Sequence, residues 1–408
     1  MMPEGWKRVR LQDACDKKIC YGIVQAGPHI PGGVPYIKCS DLNDLSSVDR
    51  LGRTSNLIHE KYIRTSVVSG DLVLSLRGNI GDVAIVPDAL NGANLTRGTA
   101  LLSFGDDVDN LYAYYAIESD EVKNKMSVKS QGSTFKEISI KSLRLIKILL
   151  PPLAEQKKIA EILSTWDDAI QTTEKLIECS RLQKKALMQH FFGLSTTPSS
   201  KLSGTIFVKL GTIANISTGK SNRADCNPNG LYMFFDRSED LMFSDDYLYD
   251  SEVVIVPGEG QDFSPKYFCG KFGLHQRTYA VMPSSDVIFG KYLYYYILKF
   301  KNYFLSKAVG STVKSLRLPM FKNMPIMLPS LDEQKAIAEV LNDADREIEL
   351  YEQKLEALKL EKKALMQQLL TGKRRVIVDE SVSEGDPSDS YKVKDEEAAQ
   401  AQLTLSLD

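Results

Sequence analysis

The sequence predicts an α+β fold in which two related α/β globular segments are separated by two long helices that pair as a coiled coil. Three observations support this prediction. The segment that begins at Pro151 recurs at Pro329, with 20 identities over 40 positions. Both copies space their apolar residues by three and four positions, which is typical of a coiled coil. The rest of the chain is rich in β-branched and aromatic residues between turn residues, which predicts strands.

The repeat divides the 408 residues into five predicted segments. These are a first globular domain (1–150), a long helix (151–200), a second globular domain (201–328), a second long helix (329–375) and an acidic tail (376–408). Each globular domain contains a strand followed by a Gly-bearing loop, DLVLSLRGNIGDVAIVP in the first and SEVVIVPGEGQDF in the second. Helical patterns, DNLYAYYAIES and GKYLYYYILKFKNYFLSKA, come near the end of each domain.

The two long helices have an apolar stripe that neither can bury alone. Polar residues interrupt it at Thr173, Ser180, Lys184 and Lys362. Ser330 and Glu333 form a capping box, and Gly193 and Gly372 occupy positions that favour a left-handed residue after a helix. We expect the two helices to pair; the alternative is that each packs only on its own globular domain. The predicted stripe comprises Ile159, Leu163, Trp166, Ile170 and Ile177 in the first helix, and Ile337, Leu341, Ile348, Leu355 and Leu365 in the second.

Charge is unevenly distributed along the chain. The whole chain has a formal net charge of −2, but Asp379–Asp408 contains nine acidic residues and two lysines. The remainder is therefore mildly basic, and the tail is predicted to be disordered. Residues 287–331 contain seven basic residues and no acidic residue. A similar basic stretch, residues 122–154, closes the first domain.

Several classes of protein are disfavoured by the sequence. No apolar run is long enough to span a membrane, and the N-terminus does not resemble a signal peptide, so we expect a cytoplasmic protein. The six cysteines and four histidines have no metal-binding spacing, so we expect no metal site. Ala214–Ser221 nearly matches a phosphate-binding loop, but the turn-rich residues after it are unsuited to the helix that such a loop requires. We expect a binding and scaffolding chain with no cofactor and no catalytic residues.

The repeated basic stretches favour a nucleic-acid partner. Lysine and arginine neutralise phosphates, whereas Arg, Asn, Gln and Lys can read base edges. The alternative interpretation is that these stretches are ordinary solvated faces. Their occurrence in both copies, with almost no acidic residues, favours nucleic acid.

The sequence resembles the specificity subunit of Type I restriction–modification systems. The resemblance covers about residues 1–375 and rests on Pro3–Trp6, on Gly-Ser-Thr at 132–134 and 310–312, and on two strings, PPLAEQKKI from Pro151 and PSLDEQKAI from Pro329. It implies two target-recognition domains that each read half of a bipartite double-stranded DNA site, held apart by an antiparallel helix pair. It also implies docking of two methyltransferase subunits, with restriction subunits joining them. S-adenosylmethionine and ATP would then belong to those partners.

Base-contacting residues do not transfer from the family, so the candidate DNA-binding residues come from this sequence alone. They are basic or amide residues in candidate loops, together with the repeated Gly-Ser-Thr-x-Lys positions, where we expect a backbone contact. In the first half they are Lys38, Arg77, Asn79, Arg97, Ser133, Thr134 and Lys136; in the second half they are Arg237, Gln276, Arg277, Ser311, Thr312 and Lys314.

Other functions remain open at the level of sequence. One is the separate specificity chain of a two-subunit Type II-like enzyme, which differs only in its partner. Another is a coiled-coil adaptor that binds proteins, which predicts no salt-dependent affinity for DNA. A self-contained DNA-modifying enzyme would need a cofactor motif that the sequence lacks.

Overall fold

A computed structural model describes residues 2–132, 136–193 and 206–378 of the chain. The candidates Ser133 and Thr134 and the acidic tail from Asp379 lie outside these residues. The chain forms two compact units. One contains Met1–Ile170 together with the chain from Ala357 onward, and the other is Gln171–Glu356. The predicted division into five segments stays a prediction, since the units divide both long helices.

The first half of the chain alternates short strands with short helices before a single long helix. Its strands are β1 (Lys7–Arg10), β2 (Val34–Ile37), β3 (Gly52–Thr54), β4 (Leu72–Ser75), β5 (Val83–Ile85), β6 (Asn94–Leu95), β7 (Thr99–Leu102) and β8 (Lys147–Leu150). Its helices are α1 (Leu11–Ala14), α2 (Asn56–Lys61), α3 (Asn110–Glu118), α4 (Asp120–Val128), α5 (Ile140–Arg144) and the long α6 (Leu153–Phe192).

The second half begins and ends with a similar order of elements but has more strands between them. Its strands are β9 (Ile206–Lys209), β10 (Ala214–Thr218), β11 (Tyr232–Phe235), β12 (Met242–Ser244), β13 (Tyr249–Pro257), β14 (Glu259–Gly260), β15 (Lys266–Leu274), β16 (Thr278–Pro283), β17 (Lys314–Ser315) and β18 (Pro325–Leu328). Its helices are α7 (Leu210–Ile213), α8 (Gly290–Lys299), α9 (Lys301–Lys307), α10 (Leu318–Lys322) and the long α11 (Leu331–Leu369). The α+β prediction is confirmed.

The sheets are small, and one sheet in each half is mixed. In the first half β2 pairs antiparallel with β3 and parallel with β6, and β4 pairs antiparallel with β5 and β7. In the second half the order is β10-β16-β13-β15-β11-β12, with β11 and β15 parallel. Each half also has a separate antiparallel pair of strands, β1 with β8 in the first half and β9 with β18 in the second. This pair places the start of the half against the strand that precedes its long helix.

A buried glutamine fixes the first turn of each long helix to its own globular half. In α6 the Gln156 amide donates to the carbonyl oxygens of Asp107 (3.1 Å) and Pro151 (2.9 Å) and accepts from the Asp109 N–H (2.9 Å). Gln334 in α11 repeats this arrangement. It donates to the carbonyls of Val287 and Pro329 and accepts from Phe289 N–H. Both glutamines are buried, which explains why the Glu-Gln string recurs in the sequence.

A second repeated network joins three elements. In the first unit Asp167 of α6 accepts hydrogen bonds from the Tyr115 hydroxyl of α3 (2.6 Å) and from Lys362 of α11. In the second unit Asp345 of α11 accepts from the Tyr295 hydroxyl of α8 (2.8 Å) and from Lys184 of α6. Burial and the aspartate hydrogen bond raise the pKa of both tyrosines, so they remain neutral donors at pH 7.

The long helices pair antiparallel. In the second unit Arg181 of α6 pairs with Glu352 of α11 (2.5 Å), and Lys184, one turn later, pairs with Asp345, earlier in α11. The expected pairing therefore exists. The start of each helix also packs on its own globular half; in α6, Ile159 and Leu163 share a core cluster with Tyr112 and Tyr115. The alternative, in which each helix packs only on its own globular domain, is therefore wrong.

The predicted apolar stripe is buried to different extents. Thr173 and Ser180, which interrupt the stripe in sequence, are themselves buried. The positions Ile159, Leu163, Ile177, Ile337 and Leu341 are buried, whereas Trp166, Ile170, Ile348, Leu355 and Leu365 are partly exposed.

The predictions for the helix ends are confirmed at Ser330, Glu333 and Gly372 but not at Gly193. Ser330 and Glu333 exchange the hydrogen bonds of a capping box, with the Ser330 N–H donating to Glu333 Oε2 at 3.0 Å. Gly372 has the left-handed φ of 70°. The same expectation is wrong for Gly193, which has no positive φ. Its N–H continues the helical pattern by donating to the Gln189 carbonyl at 2.7 Å.

We expect Gln334→Ala to lower the free energy of unfolding by about 2–4 kcal/mol, because it leaves one N–H and two carbonyl groups, all buried or part-buried, without this partner. Urea denaturation followed by circular dichroism measures this change. The matched control is Lys335→Ala, the exposed next residue of the same helix, which we expect to change stability by less than about 0.5 kcal/mol. Equal effects of the two substitutions would contradict the role of the glutamine.

Candidate nucleic-acid interface

Three chain segments meet at one edge of the first globular half. The Leu76 N–H, just after β4, donates to the Gly98 carbonyl (2.8 Å), and the Thr96 N–H donates to the Ile37 carbonyl (3.1 Å). A Cβ on Gly98 would lie 2.7 Å from Cys39 Sγ, so any larger residue would require the Cys39 side chain to shift. These contacts bring the predicted residues Lys38, Arg77 and Arg97 to a common edge, which we call edge 1.

The side chains of edge 1 differ in their exposure and in whether they form ion pairs. Lys38 and Arg97 are exposed, and Lys38 Nζ lies 5.4 Å from the centre of the Tyr36 ring. Arg77 is half-buried and paired with Glu137, its Nη2 donating to Glu137 Oε1 at 3.2 Å. Asn79 is exposed in the loop between β4 and β5. Arg77 therefore has a protein partner already, whereas Lys38 and Arg97 form no ion pair within the described residues.

Backbone hydrogen bonds hold the residues that flank the Gly-Ser-Thr-x-Lys positions beside each edge. In the first half Gln131 and Glu137 exchange backbone hydrogen bonds of 2.9 Å, and the Ile138 N–H donates to the Leu76 carbonyl (3.0 Å). In the second half Val309 and Ser315 close the matching loop in the same way. Lys136, Ser311, Thr312 and Lys314 are all exposed.

The second half builds its edge with the same backbone contacts. The Gly258 N–H, just after β13, donates to the Arg277 carbonyl (2.9 Å), the His275 N–H donates to the Phe235 carbonyl (2.9 Å), and the Leu316 N–H donates to the Gly258 carbonyl (2.8 Å). This arrangement collects Arg237, Gln276, Arg277 and Lys314, which we call edge 2. Backbone contacts thus bring together four predicted residues in each half: Lys38, Arg77, Arg97 and Lys136, and Arg237, Gln276, Arg277 and Lys314. Asn79, Ser311 and Thr312 are placed only in neighbouring segments.

Glu259 lies at the centre of edge 2. Its carboxylate accepts from Arg237 Nη1 (3.0 Å) and from Arg277 Nη1 (2.9 and 3.1 Å). Glu259 follows Gly258 as Arg77 follows Leu76, so matched backbone positions carry opposite charges. One acidic residue therefore holds two arginines at edge 2, whereas at edge 1 an arginine at the matched position is held by Glu137.

Amide groups extend edge 2. Gln276 Nε2 donates to Asn222 Oδ1 (2.6 Å), and the Gln276 N–H donates to the Ser221 carbonyl (2.9 Å). His275 is mostly buried and its Nδ1 accepts from the Arg277 N–H (3.1 Å). Burial, together with the nearby Arg237, lowers the pKa of His275, so the imidazole stays neutral at pH 7 and stabilises the turn.

Sequence reasoning missed the residues that orient the basic side chains, namely Glu137, Glu259 and Asn222. Glu259 lies inside a loop that the sequence singles out, but its two arginine partners come from separate segments. The hydrogen-bond register of the strands, which a single sequence does not show, is what joins them.

The described residues contain no other site that a cofactor motif or metal spacing would suggest. Ala214–Thr218 is strand β10, and the residues after it form a bend and a short 3₁₀ turn, Arg223–Asp225, so no helix begins where a phosphate-binding loop requires one. Within the same residues, no cluster of three His, Cys, Asp or Glu side chains is placed to bind a metal ion. None of the described helices is long and apolar enough to cross a membrane.

The family model "Type I restriction modification DNA specificity domain" matches the chain twice, at residues 3–179 and 204–360. The chain belongs to this family. It is a specificity subunit with two recognition domains, and its role is DNA sequence recognition within a restriction–modification system.

Two related specificity subunits match this chain over almost its whole length. The Type I restriction enzyme MjaVIII specificity subunit of Methanocaldococcus jannaschii is 29% identical, and the match covers 92% of this chain and 94% of the relative. The putative MjaX specificity subunit of the same organism is 26% identical with similar coverage. The Type I system S subunit of M. genitalium has the same fold, with a TM-score of 0.61, 18% identity, and coverage of 90% of this chain and 96% of that one.

We expect Glu259→Gln to increase the affinity of the specificity subunit for DNA of any sequence and to lower its discrimination between sequences. The change removes one negative charge from edge 2 and frees Arg237 and Arg277 from a common partner. The salt dependence of binding should steepen by about one unit in log–log slope. Fluorescence anisotropy with specific and unrelated duplexes at several salt concentrations measures both effects.

The matched control for that experiment is Glu239→Gln. Glu239 is an exposed acidic residue of the same half that pairs with Lys266. Weaker binding of the Glu259 variant to all duplexes, with unchanged discrimination, would contradict the role assigned to Glu259.

Proposed function

We propose that the specificity subunit reads a bipartite double-stranded DNA site, one half with edge 1 and the other with edge 2. This proposal rests on one observation: edge 1 and edge 2 have the same backbone arrangement but different side chains. Arg97 and Gln276 take matched positions inside turns that Thr99 N–H closes onto the Thr96 carbonyl and Thr278 N–H onto the His275 carbonyl. Arg77 and Glu259 also take matched positions, each just after a strand. Two edges of the same shape and different chemistry suit two different half-sites.

The residues of each edge would divide between phosphate and base contacts. Lys136 and Lys314 are exposed beside the repeated loops, and a lysine in such a place neutralises phosphate whatever the sequence. Arg97 and Gln276 are suited to bidentate hydrogen bonds, Arg with guanine and Gln with adenine, in the major groove. Lys38, Arg237 and Arg277 lie next to them and would complete the contacts.

We further propose that the helix pair docks two methyltransferase subunits, and that restriction subunits join this assembly. Support comes from the repeat itself, since related networks at Asp167 and Asp345 imply two related surfaces for two copies of one partner. The chain would contribute no catalytic residue and no cofactor. S-adenosylmethionine would be bound by the methyltransferase and ATP by the restriction subunit. The complex would work in the cytoplasm.

The helix pair would also set the distance between the half-sites. Four extra residues in both helices, within 171–175 and 349–353, lengthen the pair by about 6 Å, which corresponds to roughly two base pairs. We expect co-expression of this variant with the partner methyltransferase to yield a methylated motif with a longer spacer and unchanged half-sites. Sequencing of methylated bases in host DNA measures both.

The matched control has the insertion in only one helix. It shifts the register of Arg181 against Glu352 and of Lys184 against Asp345, so we expect loss of the complex. An unchanged spacer in the double-insertion variant would contradict the proposal that the helices set the distance.

A further inference from the structure

A cavity of about 290 Å³ lies in the first unit against the end of α11. Its floor is apolar and includes Ala116, Val122, Leu149, Met366 and Leu370. These side chains come from α3, α4, β8 and α11, except that Leu370 directly follows α11. All the lining residues belong to the same compact unit.

The cavity arises from two differences between the repeats. In the second half Phe192 packs edge-on against Tyr296 with ring centres 5.6 Å apart, and against Tyr292 at 5.5 Å. At the matched positions of the first half the residues are Leu370 in place of Phe192 and Ala116 in place of Tyr296. Smaller side chains therefore leave open in the first half a space that aromatic rings occupy in the second.

The rim of this cavity is predominantly basic. Six lining residues are basic (Arg8, Lys125, Lys147, Lys359, Lys362 and Lys363) and three are acidic (Glu118, Asp120 and Glu121). Arg8 and Lys147 are exposed and form no ion pair with any residue that the structure describes. An apolar floor with a basic rim suits a segment that combines apolar and acidic residues.

The part of the chain that the structure describes ends at Val378, within this unit. Thr371 lines the cavity, and four residues later Arg375 is bound to the Glu155 carboxylate and to the Glu4 carbonyl (3.1 Å). The residues that follow, Asp379–Asp408, carry nine acidic residues and two lysines. A flexible segment of about 30 residues has a root-mean-square span of roughly 30 Å. A tail of this length is long enough to reach the cavity, and its attachment to the same chain would raise its effective concentration there.

We propose that the end of the tail, residues 395–408, docks in this cavity. In an extended segment Leu403, Leu405 and Leu407 share one face, which would cover the apolar floor, while Thr404 and Ser406 face outward. The acidic run Asp395–Glu397 precedes the leucines by six residues or more and reaches the basic rim. This inference concerns the chain alone and does not depend on the proposed reading of DNA.

Photo-crosslinking of the full-length chain tests the proposal. The variant Leu405→p-benzoylphenylalanine is irradiated, and its adducts are mapped by mass spectrometry. We expect adducts within the same chain, concentrated on residues 116–122 and 366–371. The same crosslinker at Ser388, which has no apolar neighbours of this kind, should show no such preference.

Two double variants and one control variant decide the outcome. Filling the cavity with Ala116→Tyr and Leu370→Phe should reduce these adducts roughly tenfold, whereas Val128→Tyr, at an exposed position of the same unit, should not. Leu403→Ser with Leu407→Ser leaves the cavity intact and should give a similar loss. Adducts on a second chain, at edge 1, or spread evenly over the surface would overturn the proposal, and so would an absence of adducts.

Discussion

The polar contacts that join each long helix to its globular half, including a buried glutamine at the start of each helix, are the constraint on which the rest of the structure depends. Gln156 and Gln334 connect the first turn of a helix to two segments of its globular half, and Asp167 and Asp345 join that half to both helices. Buried polar groups that are fully satisfied specify one arrangement, because any other leaves donors and acceptors unpaired. They fix the helix register where an apolar stripe alone would permit sliding.

Because that constraint uses backbone carbonyls and a few repeated side chains, the rest of each half is free to diverge. The edges show this most clearly. Backbone hydrogen bonds hold Leu76 to Gly98 and Gly258 to Arg277 in the same way, while the next residue is Arg77 in one half and Glu259 in the other. Divergence at Ala116 and Leu370 has the further effect of opening a cavity in one unit. A common frame with variable edges is what two independent recognition surfaces require.

Much of the fold was predictable because it is repeated within one chain. The spacing of the apolar residues predicts the long helices. The position of Lys38 and Arg97 in candidate loops made them candidate DNA-binding residues. The counter-charges Glu137 and Glu259 were not predictable, because strand register brings them to the arginines. The burial of Thr173 and Ser180 was missed because residue type indicated interruptions of the stripe, whereas helix packing covers small hydroxyl side chains easily. The cavity required comparison of two packed cores, which periodicity does not reveal.

The central claim is that each edge reads its own half of the DNA site. The most direct test is to co-express the chain with its methyltransferase and compare the methylated motifs of the unaltered chain, Arg97→Ala and Gln276→Ala. We predict that Arg97→Ala relaxes base preference in one half-site only, and that Gln276→Ala does so in the other only, with the same spacer throughout. Relaxation of both half-sites by either substitution, or of neither by both, would contradict the account.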